Sequence, residues 1–165
     1  MSTLKVNKII PTAGVPTGGG GGIIQVVTKN ATFTSNVSTT STSYINLTST
    51  LNTFITPLFS TSKVLVIMTA PVWAANPYNG GIASFAIGRN GSTIHGDDYS
   101  YGDIYTNASG NTYMPLTMHT LDSPNTTSQT GYNFMCRTNS SSNQIGIGAY
   151  GRNEVVSITL MEVSA

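Results

Sequence analysis

The stretch Lys63-Val64-Leu65-Val66-Ile67-Met68-Thr69-Ala70 is the most apolar run of the chain. It is rich in residues that favour strands, and its apolar positions are continuous instead of alternating. A continuous apolar run is typical of a strand whose two faces are both covered. We therefore predict that residues 63 to 70 form a central strand of a β-sheet, with packed side chains on both sides.

The segments on either side of this run also have strand character, and no window shows helical periodicity with capping residues. In the last apolar segment the alternation places Val156, Ile158 and Leu160 on one face, which we expect to point inward. The dipeptide Asn90-Gly91 tolerates positive φ and predicts a tight hairpin. About ten short strands joined by Gly, Asn, Ser and Pro turns predict an all-β fold, an antiparallel β-sandwich of the jelly-roll type.

A run of five glycines divides the chain into unequal parts. Five glycines have no side chain to bury and no preferred backbone conformation, so we predict a hinge between an arm (residues 1–17) and a β-sandwich domain (residues 23–165). The hinge residues are Gly18, Gly19, Gly20, Gly21 and Gly22. Their conformational freedom would let the arm and the body take independent directions.

The arm contains apolar residues in an extended context, because its prolines bias their neighbours away from helix. Two interpretations are open: a disordered tail, or an arm that docks on the sheet or groove of another subunit. The isolated apolar residues favour docking. The predicted anchoring residues are Leu4, Val6, Ile9, Ile10, Pro11 and Val15.

The polar segment Gly96 to Asn111 predicts a long surface loop that is rich in Tyr, Asp and Gly. We assign Trp73 and Tyr78 to earlier turns, so that aromatic residues concentrate on loops. Exposed aromatic rings there could stack on sugars or fill a subunit interface, and the sequence supports the two equally. The candidate ligand or interface residues are Asp97, Asp98, Tyr99, Tyr101, Asp103 and Tyr105.

Grouped carboxylates in this loop could hold a hard cation. The segment lacks a full calcium-loop pattern, so we prefer ordinary solvation of the loop and predict no metal site. The two histidines, His95 and His119, have no spacing to each other or to Cys136 that suits zinc. We expect Cys136 to be a small core residue, and as a single cysteine it cannot form an intramolecular disulfide.

Other signatures of catalysis and cofactor binding are missing from the sequence. No serine lies in a Gly-x-Ser-x-Gly turn, and no Lys-Ser/Thr pair follows the glycine run as a phosphate loop requires. We predict a protein that is not an enzyme and has no cofactor.

Charged residues are only 8% of the chain, and the formal net charge is +1. Without a cluster of Lys and Arg beyond the spaced lysines of the arm, the composition argues against nucleic-acid binding. No apolar stretch approaches the ~20 residues of a membrane span, and the start lacks the apolar run of a secretion signal. We expect a soluble protein that is made in a cytoplasm.

Several motifs together resemble a family of small structural proteins of tailed bacteriophages, especially marine and cyanobacterial ones. They are the opening Ser2-Thr3-Leu4-Lys5-Val6-Asn7-Lys8-Ile9, the segment Ser60-Thr61-Ser62-Lys63-Val64-Leu65-Val66, the segment Leu121-Asp122-Ser123-Pro124, and the ending Ser157-Ile158-Thr159-Leu160-Met161-Glu162-Val163. The resemblance extends over nearly the whole chain.

This resemblance implies a β-sandwich similar to the tumour-necrosis-factor and complement-head jelly rolls, forming a homotrimer that attaches to a virion through its N-terminus. Members of the family are tail-fibre, head-fibre or capsid-decoration proteins. The implied location is the virion, and the implied partners are other copies of the chain and other capsid or tail proteins. An adhesin on the tail that binds host-surface glycan is the alternative.

Overall fold

The computed structural model describes residues 22–76, 81–95, 100–106, 110–148 and 153–164. The predicted arm, hinge residues Gly18 to Gly21, and Asp97 to Tyr99 lie outside these ranges. Within them the chain forms twelve strands and one 3-10 turn, Ser49–Leu51. The strands are β1 (Ile23–Phe33), β2 (Val37–Thr39), β3 (Ile45–Asn46), β4 (Thr53–Ile55), β5 (Lys63–Asn76), β6 (Gly81–Arg89), β7 (Ser92–Thr93), β8 (Gly102–Thr106), β9 (Gly110–Asp122), β10 (Thr130–Thr138), β11 (Gln144–Ile147) and β12 (Glu154–Val163).

Two antiparallel sheets contain these strands, so the predicted β-sandwich of jelly-roll type is confirmed. In the first sheet, strand β5 pairs with β9 along one edge and with β12 and then β11 along the other. Strand β1 pairs with β12, and β2 pairs with β11. In the second sheet, β10 lies between β6 and the short strands β3 and β4, and β6 also pairs with β7 and β8.

The core lies between the two sheets, where alternate side chains from each meet. The predicted inward residues Val156, Ile158 and Leu160 are all fully buried, as is Cys136. Phe85 and Phe134 contact each other edge to face with ring centroids 5.7 Å apart. Burial of this apolar area is the main favourable contribution to folding, at about 25 cal/mol per Å².

The predicted hairpin at Asn90-Gly91 is also confirmed. It connects β6 to β7, with Arg89 opposite Ser92, and Asn90 and Gly91 have φ of 51° and 89°. Positive φ at both central residues is the geometry that matches the twist of paired strands. The Asn90 side chain also accepts a hydrogen bond from the backbone N–H of Gly131 at 2.9 Å, which ties the turn to β10.

The central strand differs from its prediction on one face. Strand β5 has neighbours on both edges, and Val64, Val66 and Met68 are fully buried in the core. On its outer face, however, Leu65 and Ile67 are only half-buried within the described residues. Among the described residues, therefore, the inner face of β5 is covered as predicted and its outer face is covered only in part.

The predicted end of this strand was wrong, because β5 continues through Pro71 to Asn76. Proline normally interrupts a central strand since it lacks an N–H donor. Here the pairing with β12 ends at Thr69 and the pairing with β11 begins at Val72, so Pro71 lies where the ladder partner changes. Trp73 consequently lies in a strand and is buried, not in a turn. Tyr78 lies outside the described residues.

The predicted loop from Gly96 to Asn111 is wrong in part. Residues Gly102–Thr106 form β8, which pairs with β6, and β9 already begins at Gly110. Strand β9 pairs only with β5 among the described residues, so it is an edge strand. Pro115 is tolerated in β9 because an edge strand does not need every N–H as a ladder donor.

Candidate functional site

The structure separates the described members of the predicted ligand loop. Tyr101 packs against the core, and its burial raises the pKa of its hydroxyl above the usual value. Asp103 and Tyr105 are exposed on the outer side of β8, with Tyr105 63% exposed, whereas Ile104 between them is buried. Asp103 and Tyr105 therefore share an accessible surface, and Tyr101 does not belong to it.

The outer face near Asp103 carries a short row of polar and aromatic side chains. Asp103 lies opposite Ser84, and Ser84 lies opposite Arg137 on β10. The guanidinium carbon of Arg137 lies 4.7 Å from the centre of the Tyr44 ring. A cation–π contact of this kind contributes about 0.5–1 kcal/mol, so it stabilises this surface.

Groups that could perform chemistry are sparse and separated in the described part of the chain. No three of its His, Cys, Asp and Glu side chains come together as metal ligands would. Burial raises the pKa of the Cys136 thiol to about 12, so the thiol stays protonated at neutral pH. A protonated, buried thiol is a poor nucleophile.

In the described residues, we find no helix that is long and apolar enough to cross a membrane.

A cluster of exposed apolar side chains lies at one end of the sandwich, around the last residues of β12. In the strand register, Ile23 lies opposite Val163, and Val26 lies opposite Met161. Met161 lies opposite Leu65, which lies opposite Leu121 on the edge strand. We call the exposed members of this cluster the apolar end; they are Ile23, Val26, Leu58, Phe59 and Leu121, each 47–61% exposed.

The side chain of Glu162 fixes the segment that contributes Leu58 and Phe59. Its Oε1 accepts hydrogen bonds from the backbone N–H groups of Leu58 and Phe59 at 2.8 Å and 3.3 Å. Its Oε2 accepts a hydrogen bond of 2.6 Å from the Gln25 side chain on β1. Burial alone would raise the pKa of Glu162, but these hydrogen bonds favour the charged form and hold the pKa below its usual value.

The chain enters the sandwich at the same end. Gly22 exchanges two hydrogen bonds with Ser164: its N–H donates to Ser164 Oγ at 3.1 Å, and its carbonyl accepts from Ser164 N–H at 3.0 Å. The segment that precedes Gly22 therefore begins next to the apolar end. The predicted hinge accordingly rests on Gly18 to Gly21, which lie outside the described residues.

The sequence reasoning did not identify the apolar end. One local signal was available, because Leu58 and Phe59 are two large apolar residues directly after Pro57 in a segment with turn composition. The contribution of β9 and β12 had no local signal. Leu121 and Met161 become neighbours of Leu65 only through a register that joins distant parts of the chain.

Comparison with known proteins gave structural matches only: no family model matches the chain, and no curated protein matches it. Solved structures with a similar backbone include that of infectious bursal disease virus strain Gx, with a TM-score of 0.43 and 10% identity over 86% of this chain and 41% of that one. Another is that of T=1 particles derived from the same virus, with a TM-score of 0.31, 10% identity, and 86% and 41% coverage. The Gt strain gives a TM-score of 0.28 and 11% identity, with 85% and 42% coverage. The chain thus spans 41–42% of the length of these viral chains, and the scores carry no argument about function.

Proposed function

We propose that this protein is a structural component of a bacteriophage virion, in which a homotrimeric jelly-roll body is anchored to the particle by its N-terminal arm. It serves as a fibre or decoration protein of the tail or the capsid. The observation that carries the proposal is the apolar end, where exposed apolar side chains surround the point at which the chain enters the sandwich. The proposed location, the phage particle, comes from the sequence motifs that resemble phage structural proteins.

The apolar end has the character of a protein-binding surface. The backbone N–H groups of Leu58 and Phe59 are hydrogen-bonded to the buried carboxylate of Glu162. These bonds fix the loop in a conformation in which both side chains are exposed. Large exposed apolar side chains at one end of a domain are the kind of surface that serves as an interaction site. Burying them against other copies or a virion protein would stabilise the assembly at about 25 cal/mol per Å².

The outer face of the first sheet supports contact between copies. Across four strands, Thr28, Thr159 and Ile67 form one row, which ends at His119 on the edge strand. Thr28 Oγ1 and Thr159 Oγ1 are hydrogen-bonded at 3.2 Å. This row contains no carboxylate and no lysine or arginine, so two copies can approach each other there without repulsion between like charges.

Multivalency would let the N-terminal arms anchor the protein even if each arm binds weakly. Three arms that project from one trimer would bind with a high effective concentration, so each arm can be individually weak. The hydrogen bonds between Gly22 and Ser164 hold the root of each arm beside the apolar end. The arm and the apolar end would then contact the same particle surface.

Two measurements test this function. Light scattering after size exclusion should give a trimer for the wild type. The double substitution Leu58→Asn, Phe59→Asn should weaken incorporation into particles, and the exposed but distant substitution Tyr105→Asn should leave incorporation unchanged. Deletion of residues 1–17 should keep the trimer and abolish incorporation into particles, and incorporation without the arm would disprove anchoring.

Glycan binding by an adhesin is the second candidate, and the exposure of Asp103 and Tyr105 favours it. An exposed tyrosine beside a carboxylate can stack on a sugar ring and accept hydrogen bonds from its hydroxyls. Loss of glycan-array binding on Tyr105→Ala would support this candidate. Absence of glycan binding in a protein that still binds particles would favour the structural role alone.

A further inference from the structure

A cavity of about 290 Å³ opens on the first sheet, far from the apolar end. Its walls include Pro71 and Trp73 of β5 and Tyr113 and Pro115 of the edge strand, and Glu154 at the start of β12 completes it. Trp73 and Tyr113 lie directly opposite each other in the strand register, as do the two prolines. Small-ligand sites typically have such apolar walls with few polar groups.

Two residues that line this cavity, Trp73 and Glu154, each have a buried polar side-chain atom without a hydrogen-bond partner among the described residues. Oε2 of Glu154 is buried and has no hydrogen-bond partner among the residues that the structure describes. A buried carboxylate oxygen without a donor is costly, because desolvation removes its hydrogen bonds to water. A ligand that binds in the cavity and has a hydrogen-bond donor could satisfy this unpartnered oxygen.

We propose that this cavity binds a single pyranose unit of a glycan. The Tyr113 ring is 44% exposed and, with Pro71 and Pro115, offers flat apolar surfaces to the C–H face of the sugar. In this arrangement a ring hydroxyl donates a hydrogen bond to the unpartnered oxygen Oε2 of Glu154, which acts as the acceptor. The nearby amide of Asn111, which donates to the Tyr113 hydroxyl at 3.2 Å, adds a neutral polar group at the rim.

The same residues fit a cationic ligand less well. A cage for an ammonium group uses the open faces of several aromatic rings around the charge. Among the residues that line this cavity Tyr113 presents an exposed ring, but Trp73 is only 4% exposed, so its faces are covered. One open aromatic face beside one carboxylate and neutral amides is a set that recognises hydroxyl groups.

The position of the cavity suits a ligand that approaches from outside the particle. Trp73 is eight residues along β5 from Leu65, which pairs with Leu121 of the apolar end. Eight residues correspond to about 26 Å at the rise of a strand. Burial of the apolar end would thus leave the cavity accessible. The inference does not depend on the proposed function, since it is tested on the isolated protein.

Trp73 is the single tryptophan of the chain, so its fluorescence reports on this cavity alone. The full-length protein is titrated with the methyl glycosides of glucose, galactose, mannose and N-acetylglucosamine, and screened in parallel on a glycan array. We expect a saturable change in Trp73 emission with at least one pyranoside. Glu154→Gln and Tyr113→Ala should each weaken binding by about tenfold or more, because each removes a principal contact.

Phe54→Ala is the matched control, because it removes an aromatic ring of similar exposure (50% against 44% for Tyr113) on the second sheet and should leave this binding unchanged. Tyr105→Ala is measured in parallel, because Tyr105 belongs to the other candidate glycan surface. Thermal melting verifies that each variant is folded. The proposal is overturned if no pyranoside gives a saturable signal or an array hit, or if Glu154→Gln and Tyr113→Ala bind like the wild type. It is equally overturned if binding is lost only with Tyr105→Ala, or if only amines such as choline bind.

Discussion

The buried carboxylate of Glu162 accepts a 2.8 Å hydrogen bond from the backbone N–H of Leu58, whose own side chain is 61% exposed. One residue of the last strand thereby fixes the conformation of a surface segment more than a hundred positions away in sequence. The fixed segment presents Leu58 and Phe59 to solvent. Stability of the fold and exposure of the apolar end therefore depend on the same side chain.

Replacing Glu162 with Gln should lower the free energy of unfolding by about 1–3 kcal/mol, the range for losing hydrogen bonds to a charged group. The amide oxygen can still accept from the backbone N–H groups of Leu58 and Phe59, but without a full negative charge, and the NH₂ group would face the donor of Gln25. Urea unfolding at neutral pH measures the change. Gln144→Glu is a control on the same sheet, because its side chain is exposed, and it should change stability by less than about 0.5 kcal/mol.

The stability contribution of Glu162 should also depend on pH. Because the pKa of Glu162 is lower in the folded protein than its ordinary 4.5, the contribution is fully present above that value. It is lost as the pH falls through the lower, folded-state pKa. The difference in unfolding free energy between the wild type and Glu162→Gln should thus be constant near neutrality and shrink below about pH 4.5. A difference that does not change with pH in urea titrations would contradict the assignment.

Asp122 connects the edge strand to the core through two donors. Its Oδ2 accepts a 2.7 Å hydrogen bond from the buried hydroxyl of Tyr132, and Nη1 of Arg89 lies 2.9 Å from both of its oxygens. Asp122→Ala should cost about 3 kcal/mol, because it leaves the Tyr132 hydroxyl buried without an acceptor. The Arg89 side chain is partly exposed, so water can replace the hydrogen bonds that it loses when Asp122 is removed.

A double-mutant cycle tests this explanation. Tyr132→Phe removes the stranded donor, so the double variant Asp122→Ala, Tyr132→Phe should be less destabilised than the sum of the two single variants. Equilibrium unfolding of the four proteins gives the coupling energy, and strictly additive costs would show that the hydrogen bond contributes little.

Alternation along a single strand was enough to predict the core face of β12. Ser157 and Thr159 separate Val156, Ile158 and Leu160, and a strand has no other way to bury three such residues together. The Asn90-Gly91 hairpin was predictable for the same reason: its local backbone requirement is met by few residue pairs. Both features depend on positions that are near each other in sequence.

Features that depend on distant strands were not predictable. The continuous run in β5 does not tell whether its outer face is covered, because that depends on what lies above Leu65 and Ile67. Trp73 was assigned to a turn, and only the change of partner from β12 to β11 explains how the strand continues past Pro71. The apolar end likewise depends on the register between β5, β9 and β12.

Cys136 should report global unfolding. Its thiol is fully buried, and its pKa of about 12 leaves almost no thiolate at neutral pH. Labelling with a disulfide reagent should therefore be slow in the native protein and fast in denaturant, with a midpoint that matches the loss of Trp73 fluorescence in urea. Fast labelling under native conditions would indicate that β10 opens locally, in conflict with its central position in the second sheet.

The glycine run should act as a swivel between the arm and the body, which we propose to be a trimer. Replacing Gly18 to Gly21 with serine keeps a flexible linker, whereas replacing them with proline makes an extended and stiff one. Because arms that leave one trimer must follow the symmetry of a different surface, we expect serine variants to incorporate into particles like the wild type and proline variants to incorporate poorly. Light scattering should show that both variants remain trimers, since the substitutions precede the Gly22–Ser164 hydrogen bonds. Equal incorporation of the two variants would reduce the glycine run to a spacer, and it would leave the apolar end as the feature that sets how the body contacts the particle.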